Sequence, residues 1–200
     1  MLILLVYVDD NMFTGNNSAV VSKLVSDLNC NFVLKDLGSL HFFLGVEAFR
    51  DTTELYLTQT KYVVDLLKRT KMDEAKPLTF PATLGKILSK RDGDLMVEPL
   101  LYRNIIGELQ YVTMTRPDIS YMVSKLSQFL QNPIDVHWKA CKRVLCYLKG
   151  TITHGLHFKS SKQLDFVGFS NADWASCPND RRSTSGYCVF FWRKSCILEF

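Results

Sequence analysis

Apolar positions recur along this chain with two different periods, and the changes of period mark its elements. Residues 2–7 are continuously apolar, which predicts a strand buried on both faces. Asp9-Asp10-Asn11 turns the chain, and Met12-Phe13-Thr14 returns as the second arm of a hairpin. Asn16-Asn17-Ser18 supplies a helix cap, after which Val20, Val21, Leu24, Val25 and Leu28 recur at helical spacing. Residues 41–48 and 54–58 read as two strands around the turn Arg50-Asp51-Thr52-Thr53. A helix follows over 59–71, with Tyr62, Val63, Leu66 and Leu67 on its inner face.

Between residues 76 and 99 no stripe persists, and Pro77, Pro81, Gly85, Gly93 and Pro99 punctuate a linker or a long exposed crossing. Three helices then return. The first covers 100–113. Arg116-Pro117-Asp118 opens the second, with proline at the first helical position and an acid in the first turn. Its stripe is Ile119, Met122, Val123, Leu126, Phe129 and Leu130, and Asn132-Pro133 stops it. The third covers 135–149 and ends at Gly150. Beyond Gly150 the period shortens again, to strands at 156–158, 164–170 and 187–192. Both chain ends lie in apolar stretches, whereas domains usually start and stop in polar ones, so both are expected to be cuts.

Composition narrows the class. With 47% hydrophobic and 22% charged residues, the 200-residue chain has enough apolar mass for a real core. A net charge of +4 excludes a histone-like tail and only hints at nucleic acid. None of the six cysteines (Cys30, Cys141, Cys146, Cys177, Cys188, Cys196) forms a Cys-x-x-Cys pair, so a zinc ribbon is not expected and the thiols are expected reduced and mostly in the core. No secretory signal is visible, and no apolar run approaches the roughly 20 residues that span a bilayer, so an intracellular chain without a membrane partner is expected.

The sharpest chemical signal is Tyr7-Val8-Asp9-Asp10. Adjacent carboxylates after an apolar strand repel, and burying them costs several kcal/mol unless cations or donors offset it. A divalent-metal site is one such offset, because carboxylate oxygens suit magnesium; an Asp-Asp hairpin turn is the plain alternative. On the third late helix, Lys139, Lys142, Arg143 and Lys149 share one face opposite Trp138, Cys141, Leu145 and Leu148. That stripe suits a phosphate backbone, or is simply a solvated basic face. Arg181-Arg182-Ser183-Thr184 holds phosphate from a loop, or is a plain exposed loop. His137 and Cys141 are four apart but lack a second pair, which favours core packing with a surface histidine over a metal site. Gly107, inside a helix, is expected to permit close helix packing.

The order of blocks along the chain resembles copia-type retrotransposon reverse transcriptases, and is similar to plant nuclear and mitochondrial fragments derived from them. The resemblance is carried by Tyr7-Val8-Asp9-Asp10 with Phe13-Thr14-Gly15-Asn16, and by Lys35-Asp36-Leu37-Gly38 with His41-Phe42-Phe43-Leu44-Gly45-Val46-Glu47. It continues through Leu57-Thr58-Gln59-Thr60-Lys61-Tyr62, Lys76-Pro77-Leu78-Thr79 and Tyr102-Arg103-Asn104-Ile105-Ile106-Gly107. Thr115-Arg116-Pro117-Asp118-Ile119-Ser120-Tyr121 and the run from Lys142 to Thr151 follow, then Ala172-Asp173-Trp174-Ala175 and the run from Arg181 to Tyr187.

The resemblance implies an α+β chain. Residues 1–58 would be a truncated palm, 59–150 thumb- and connection-like helices with a linker at about 76–99, and 151–200 the first strands of an RNase H-like α/β domain. It implies RNA- and DNA-templated DNA synthesis with two magnesium ions. Asp9 and Asp10 would be the paired palm carboxylates, Tyr7 would pack near the primer end, and residues 42–46 would form a primer-gripping hairpin. The partners would be an RNA or DNA primer–template duplex and the N-terminal polymerase segment of the polyprotein.

The family's third palm aspartate and its fingers lie on sequence that precedes these blocks. The expectation is therefore that the chain alone does not polymerise, because positioning supplies most of the barrier lowering in phosphoryl transfer. In the RNase H stretch the family usually reads Ser-Asp-Ala-Asp-Trp-Ala-Gly. Here Asn171 stands at the first acid and Asp173 keeps the second, a degraded metal position. Trp192-Arg193-Lys194 also departs from the family's short glycine-containing turn. Two further readings are a non-catalytic nucleic-acid-binding remnant and the non-functional product of a decayed element.

Overall fold

The computed structural model describes residues 1–8, 10–32, 34–83, 88–90, 93–159, 166–172, 174–175, 181 and 183–191. They form an α+β chain in two compact units, Met1–Leu44 and Gly45–Phe200.

In the first unit, β1 (Leu2–Tyr7) and β2 (Asp10–Gly15) form an antiparallel hairpin whose register runs from Leu2↔Gly15 to Tyr7↔Asp10. The turn comes earlier and is tighter than the sequence suggests, because Asp10 and Asn11 already belong to β2. Helix α1 (Ser18–Asn31) starts where Asn17 Oδ1 accepts the amides of Ala19 and Val20, at 3.0 and 3.4 Å. Its stripe of Val21, Leu24, Val25 and Leu28 is half-buried, and Val20 is exposed. A two-residue strand, β3 (Phe42–Phe43), closes the unit.

The expectation that β1 is buried on both faces is not met: its residues are 38–59% exposed. A strand apolar on both faces needs two covering layers. Among the described residues of this unit only β2 pairs with it, and α1 is the unit's single helix.

The second unit holds the core. β4 (Val46–Arg50), β5 (Glu54–Thr58) and β6 (Leu156–Lys159) form antiparallel ladders with β5 in the middle. The β4–β5 turn is fixed by Asp51 Oδ1, which accepts the amides of Thr53 and Glu54, each at 2.7 Å. Four helices complete the unit and pack on one another: α2 (Thr60–Arg69), α3 (Pro99–Val112), α4 (Ser120–Ser127) and α5 (Asp135–Gly150). A single 3-10 turn, Pro117–Ile119, precedes α4, where the sequence alone suggests one continuous helix.

Their predicted stripes meet. Leu66, Ile106, Leu109, Leu126, Val144 and Leu145 are fully buried in one cluster. Each such side chain stabilises the unit by roughly 1.5–3 kcal/mol relative to exposure. Tyr102 is buried with them and satisfies its hydroxyl on the carbonyl of Leu126 at 2.8 Å.

Two expectations fail inside this core. Gly107 permits no close packing: a Cβ there would meet nothing within 4 Å. The cysteines are not mostly internal either. Cys141 is buried and Cys146 half-buried, whereas Cys30 and Cys188 are exposed because they sit on elements that face no core; Cys177 and Cys196 lie outside the described residues.

The stretch after α2 has no helix among its described residues, as expected, but it is docked on α5 and its N-terminal approach. The Leu78 amide bonds the Cys146 carbonyl at 3.2 Å, Met96 bonds Pro133 at 3.0 Å, and Asp135 bonds Asp94 at 3.0 Å. Finally, β7 (Phe166–Ala172) and β8 (Ser185–Phe191) form a separate antiparallel hairpin.

Candidate functional site

The turn carrying the acidic pair has its geometry set by β1 and β2. Tyr7 and Asp10 are directly opposite, so their side chains share one face of the hairpin, and two residues connect the strands. Val8 takes φ 48°, a left-handed conformation that costs a β-branched residue energy and that a two-residue hairpin demands. Asp10 and Tyr7 are exposed; Asp9 lies outside the described residues. Among the described residues no three His, Cys, Asp or Glu side chains converge as metal ligands. A single placed carboxylate is not a donor set for a hard dication, which takes six or more oxygens, so the described residues do not by themselves fit magnesium.

Helix α5 gathers most of the predicted cations. Lys139, Lys142 and Arg143 line one groove of about 400 Å³ together with Met72, Leu78, Thr83, Leu88 and Cys146. Lys139 Nζ bonds Asp135 Oδ2 at 2.6 Å, one helical turn back. Lys142 Nζ lies 5.3 Å from the centre of the Trp138 ring, a cation–π contact, and Lys142 is exposed. Arg143 is half-buried, and its Nε is enclosed with no hydrogen-bond partner among the described residues. Burial pushes the Cys146 thiol up, against the pull of Arg143 and Lys142, so it stays protonated near neutral pH. Lys149 is half-buried in the last turn of α5 and is not among the groove's lining residues.

Of the C-terminal candidates, the described residues include Asn171 and Arg181. Arg181 is exposed with φ 59°, and Arg182 and Asp173 lie outside the described residues. Asn171 pairs with Gly186 on β7 and β8, is exposed, and turns its Oδ1 to the Ala172 amide at 2.9 Å.

His137 corrects a prediction. It is fully buried rather than on the surface, stacked on Phe129 with ring centres 3.7 Å apart. Its Nδ1 accepts the Ile134 amide at 3.2 Å and its Nε2 lies 3.0 Å from the Ser89 carbonyl, which requires the neutral Nε2–H tautomer. Burial lowers its pKa, against the Ser89 contact and Asp135. Cys141 points into the core, and burial pushes its thiol up to about 12.

One polar cluster escapes the sequence reading. Arg116 is 1% exposed. Its Nε and Nη2 reach Asp118 Oδ1 and Oδ2 at 3.0 and 2.7 Å, and its Nη1 and Nη2 reach the Thr151 carbonyl and hydroxyl at 2.6 and 2.7 Å. The Tyr147 hydroxyl donates to Asp118 Oδ2 at 2.7 Å, and the Thr151 hydroxyl donates to the Tyr147 carbonyl at 2.9 Å. Burial raises the Asp118 pKa, but bonds and charge from Arg116, with the Tyr147 hydroxyl, outweigh it and hold the carboxyl below its usual range. The adjacent Thr115 hydroxyl donates to Gln59 Oε1 at 2.7 Å. The signal in the sequence is an arginine and an aspartate two apart between apolar runs, which reads equally as a helix start. On the sheet, His157 Nε2 meets Glu54 Oε2 at 2.9 Å and the His157 ring stacks on Tyr56; that hydrogen bond holds the Glu54 carboxyl below its usual range.

Comparison with known proteins gives this geometry a family. A model of reverse transcriptase (RNA-dependent DNA polymerase) matches residues 1–84. The chain belongs to the reverse transcriptase family of copia-type retrotransposon Pol polyproteins. It is 46% identical, over 94% of its length, to the retrovirus-related Pol polyprotein from transposon RE1 of Arabidopsis thaliana. It is 37% identical, over 95% of its length, to the Pol polyprotein from transposon TNT 1-94 of Nicotiana tabacum. It spans 13% and 15% of those two polyproteins. An uncharacterized mitochondrial protein of Arabidopsis thaliana is 41% identical over 94% of this chain and 78% of its own length. No solved structure matches. No helix among the described residues is long and apolar enough to cross a membrane.

Proposed function

We propose that this chain is the palm-hairpin, thumb and connection portion of a copia-type reverse transcriptase, and that its own contribution is to hold a primer–template duplex. In this reading residues 1–58 belong to the palm, 59–150 to thumb and connection, and 151–200 to the start of an RNase H-like domain. The observation that carries it is the convergence of Lys139, Lys142 and Arg143 on one groove of α5, the arrangement a phosphate backbone meets. The α5 face and Tyr7 would contact nucleic acid, joined by Lys149, Arg181 and Arg182.

Asp9 and Asp10 would supply two carboxylates to a two-magnesium site, which activates and stabilises the oxygens of nucleotide transfer when it is complete. The described residues place one carboxylate at the turn, so polymerisation would need acids and fingers from other sequence of the polyprotein. Asn171 cannot replace the acid that an RNase H metal site uses there.

The test is a fluorescence-anisotropy titration of the 200-residue chain with an RNA/DNA hybrid duplex across a salt series. Log affinity falls linearly with log salt if the basic face binds phosphates. Lys142→Ala with Arg143→Ala lowers the slope by about two. A flat salt response rejects the reading. A primer-extension assay with magnesium is expected to give no product, and template-dependent product overturns the claim that the chain does not polymerise alone. The absence of both binding and a cooperative thermal melt favours the decayed-element reading.

A further inference from the structure

We infer that Arg116 is a positioning residue for nucleic-acid binding: through Asp118, Tyr147 and Thr151 it holds the last turn of α5, and with it Lys149, in the direction a phosphate backbone requires. The inference rests on the duplex-holding role proposed above.

A helix leaves its last carbonyls without intrahelical partners, and its final turn frays unless they are satisfied. At α5 the Leu148 carbonyl accepts the Thr151 amide at 3.1 Å, the Thr151 carbonyl accepts the His154 amide at 3.1 Å, and the cluster adds to these bonds. Arg116 Nη1 bonds the carbonyl of Thr151, which caps the helix, and the Thr151 hydroxyl bonds the carbonyl of Tyr147. A guanidinium there also meets the negative end of the helix dipole. Arg116 is itself held, since both oxygens of Asp118 engage its fork and the Tyr147 ring lies 5.5 Å from its Cζ. Four guanidinium hydrogen bonds leave little freedom in a side chain 1% exposed.

Lys149 lies between Tyr147 and Thr151, the two α5-end residues that the cluster fixes. Arg116 itself is closed to solvent, while Asp118 and Thr151 are half-buried, so the effect of Arg116 on a ligand passes through the helix. The same cluster draws together three separated sequence blocks. Gln59 bonds Thr115, Thr60 reaches the Ile152 carbonyl at 3.5 Å, and Arg116 joins Thr151. The end of α5 is thereby referenced to the β5–α2 junction rather than left to its own packing.

The experiment is a double-mutant cycle on duplex affinity, read by anisotropy with the same hybrid duplex at temperatures where thermal melts show each variant folded. Arg116→Lys keeps the charge and loses the fork; Tyr147→Phe removes one hydrogen bond and keeps the ring. Each is expected to weaken binding several-fold and to lower the log–log salt slope by up to about one, the contribution of one lysine contact. Lys149→Ala is expected to do the same in the wild-type background and to add almost nothing on top of Arg116→Lys, because the contact is already lost. Additive effects, or variants that melt lower yet bind like wild type, overturn the inference and leave the duplex-holding role standing. A wild-type chain without salt-dependent binding sinks both.

Discussion

At the scale of single residues, the polar groups that matter to the fold are buried and mutually satisfied. Arg116 and Asp118 are the clearest case. Removing one member of a buried ion pair leaves the other charge without compensation, at a cost of about 3–5 kcal/mol. Arg116→Met is therefore expected to lower the denaturant midpoint of the second unit sharply, whereas Arg116→Met with Asp118→Leu recovers much of the loss; equal losses in both would show that the apolar replacements pack poorly. His137 makes a separate, pH-dependent prediction. Its folded pKa lies below the ordinary histidine value of about 6.5 because the ring is buried neutral. Above that value both states are neutral and nothing is lost. As pH falls below it, the unfolded chain takes up a proton that the folded one refuses, and stability declines toward the folded pKa. The melting temperature is thus expected to fall as pH drops below about 6.5, and to fall less steeply in His137→Gln. His154 is also lowered by burial and adds a slope of the same sign, which the comparison of the two proteins cancels. Identical slopes would show that the His137 imidazole is not held neutral.

At the scale of elements, Gly107 separates local propensity from packing. It sits in the interior of α3, and open space surrounds the position of its missing Cβ. Gly107→Ala is expected to stabilise the second unit by about 0.5–1 kcal/mol, since alanine loses less backbone freedom in a helix. A destabilised variant would restore the close-packing role that the sequence suggests. Gly45 behaves differently. Its φ is 77°, which strains any residue with a Cβ, and such a Cβ would lie 3.0 Å from the Tyr111 hydroxyl, which would have to shift. The docking of the 72–96 segment on α5 also belongs to this scale. Its hydrogen bonds run to carbonyls of residues 133 and 146 and to the His137 ring, so a stretch that looks like a free linker forms one wall of the basic groove.

At the scale of the whole molecule, burial is distributed unevenly. No described residue of 1–44 is buried, while α2, α3, α4 and α5 enclose the core. Local stability follows buried contacts, so hydrogen exchange is expected to show strong protection in 60–69, 99–112 and 135–150 and rapid exchange across β1, β2 and α1. Equal protection in both regions would mean that the hairpin is covered in solution. The same exposure of Leu2 to Val8 is an association hazard, since apolar strands with a free edge pair with other chains.

Much of this architecture is legible in the sequence alone. The apolar periods place every helix among the described residues, because an amphipathic stripe is a local property; the cap at Asn17 and the strand at 54–58 follow from the same reasoning, whereas α5 runs through Gly150 and is capped by Thr151. The family is also legible, from blocks that keep their order along the chain. Burial and partnership are not. Whether β1 is covered depends on neighbouring layers that a strand's own residues cannot specify. Whether Arg116 is a surface cation or the centre of a buried cluster depends on Thr151, 35 residues away in the chain. The sequence determined which residues are amphipathic, acidic or basic, since those are properties of side chains in order. Only the tertiary structure decided which of them meet, because desolvation and hydrogen bonding are set by what packs against a residue and not by what precedes it.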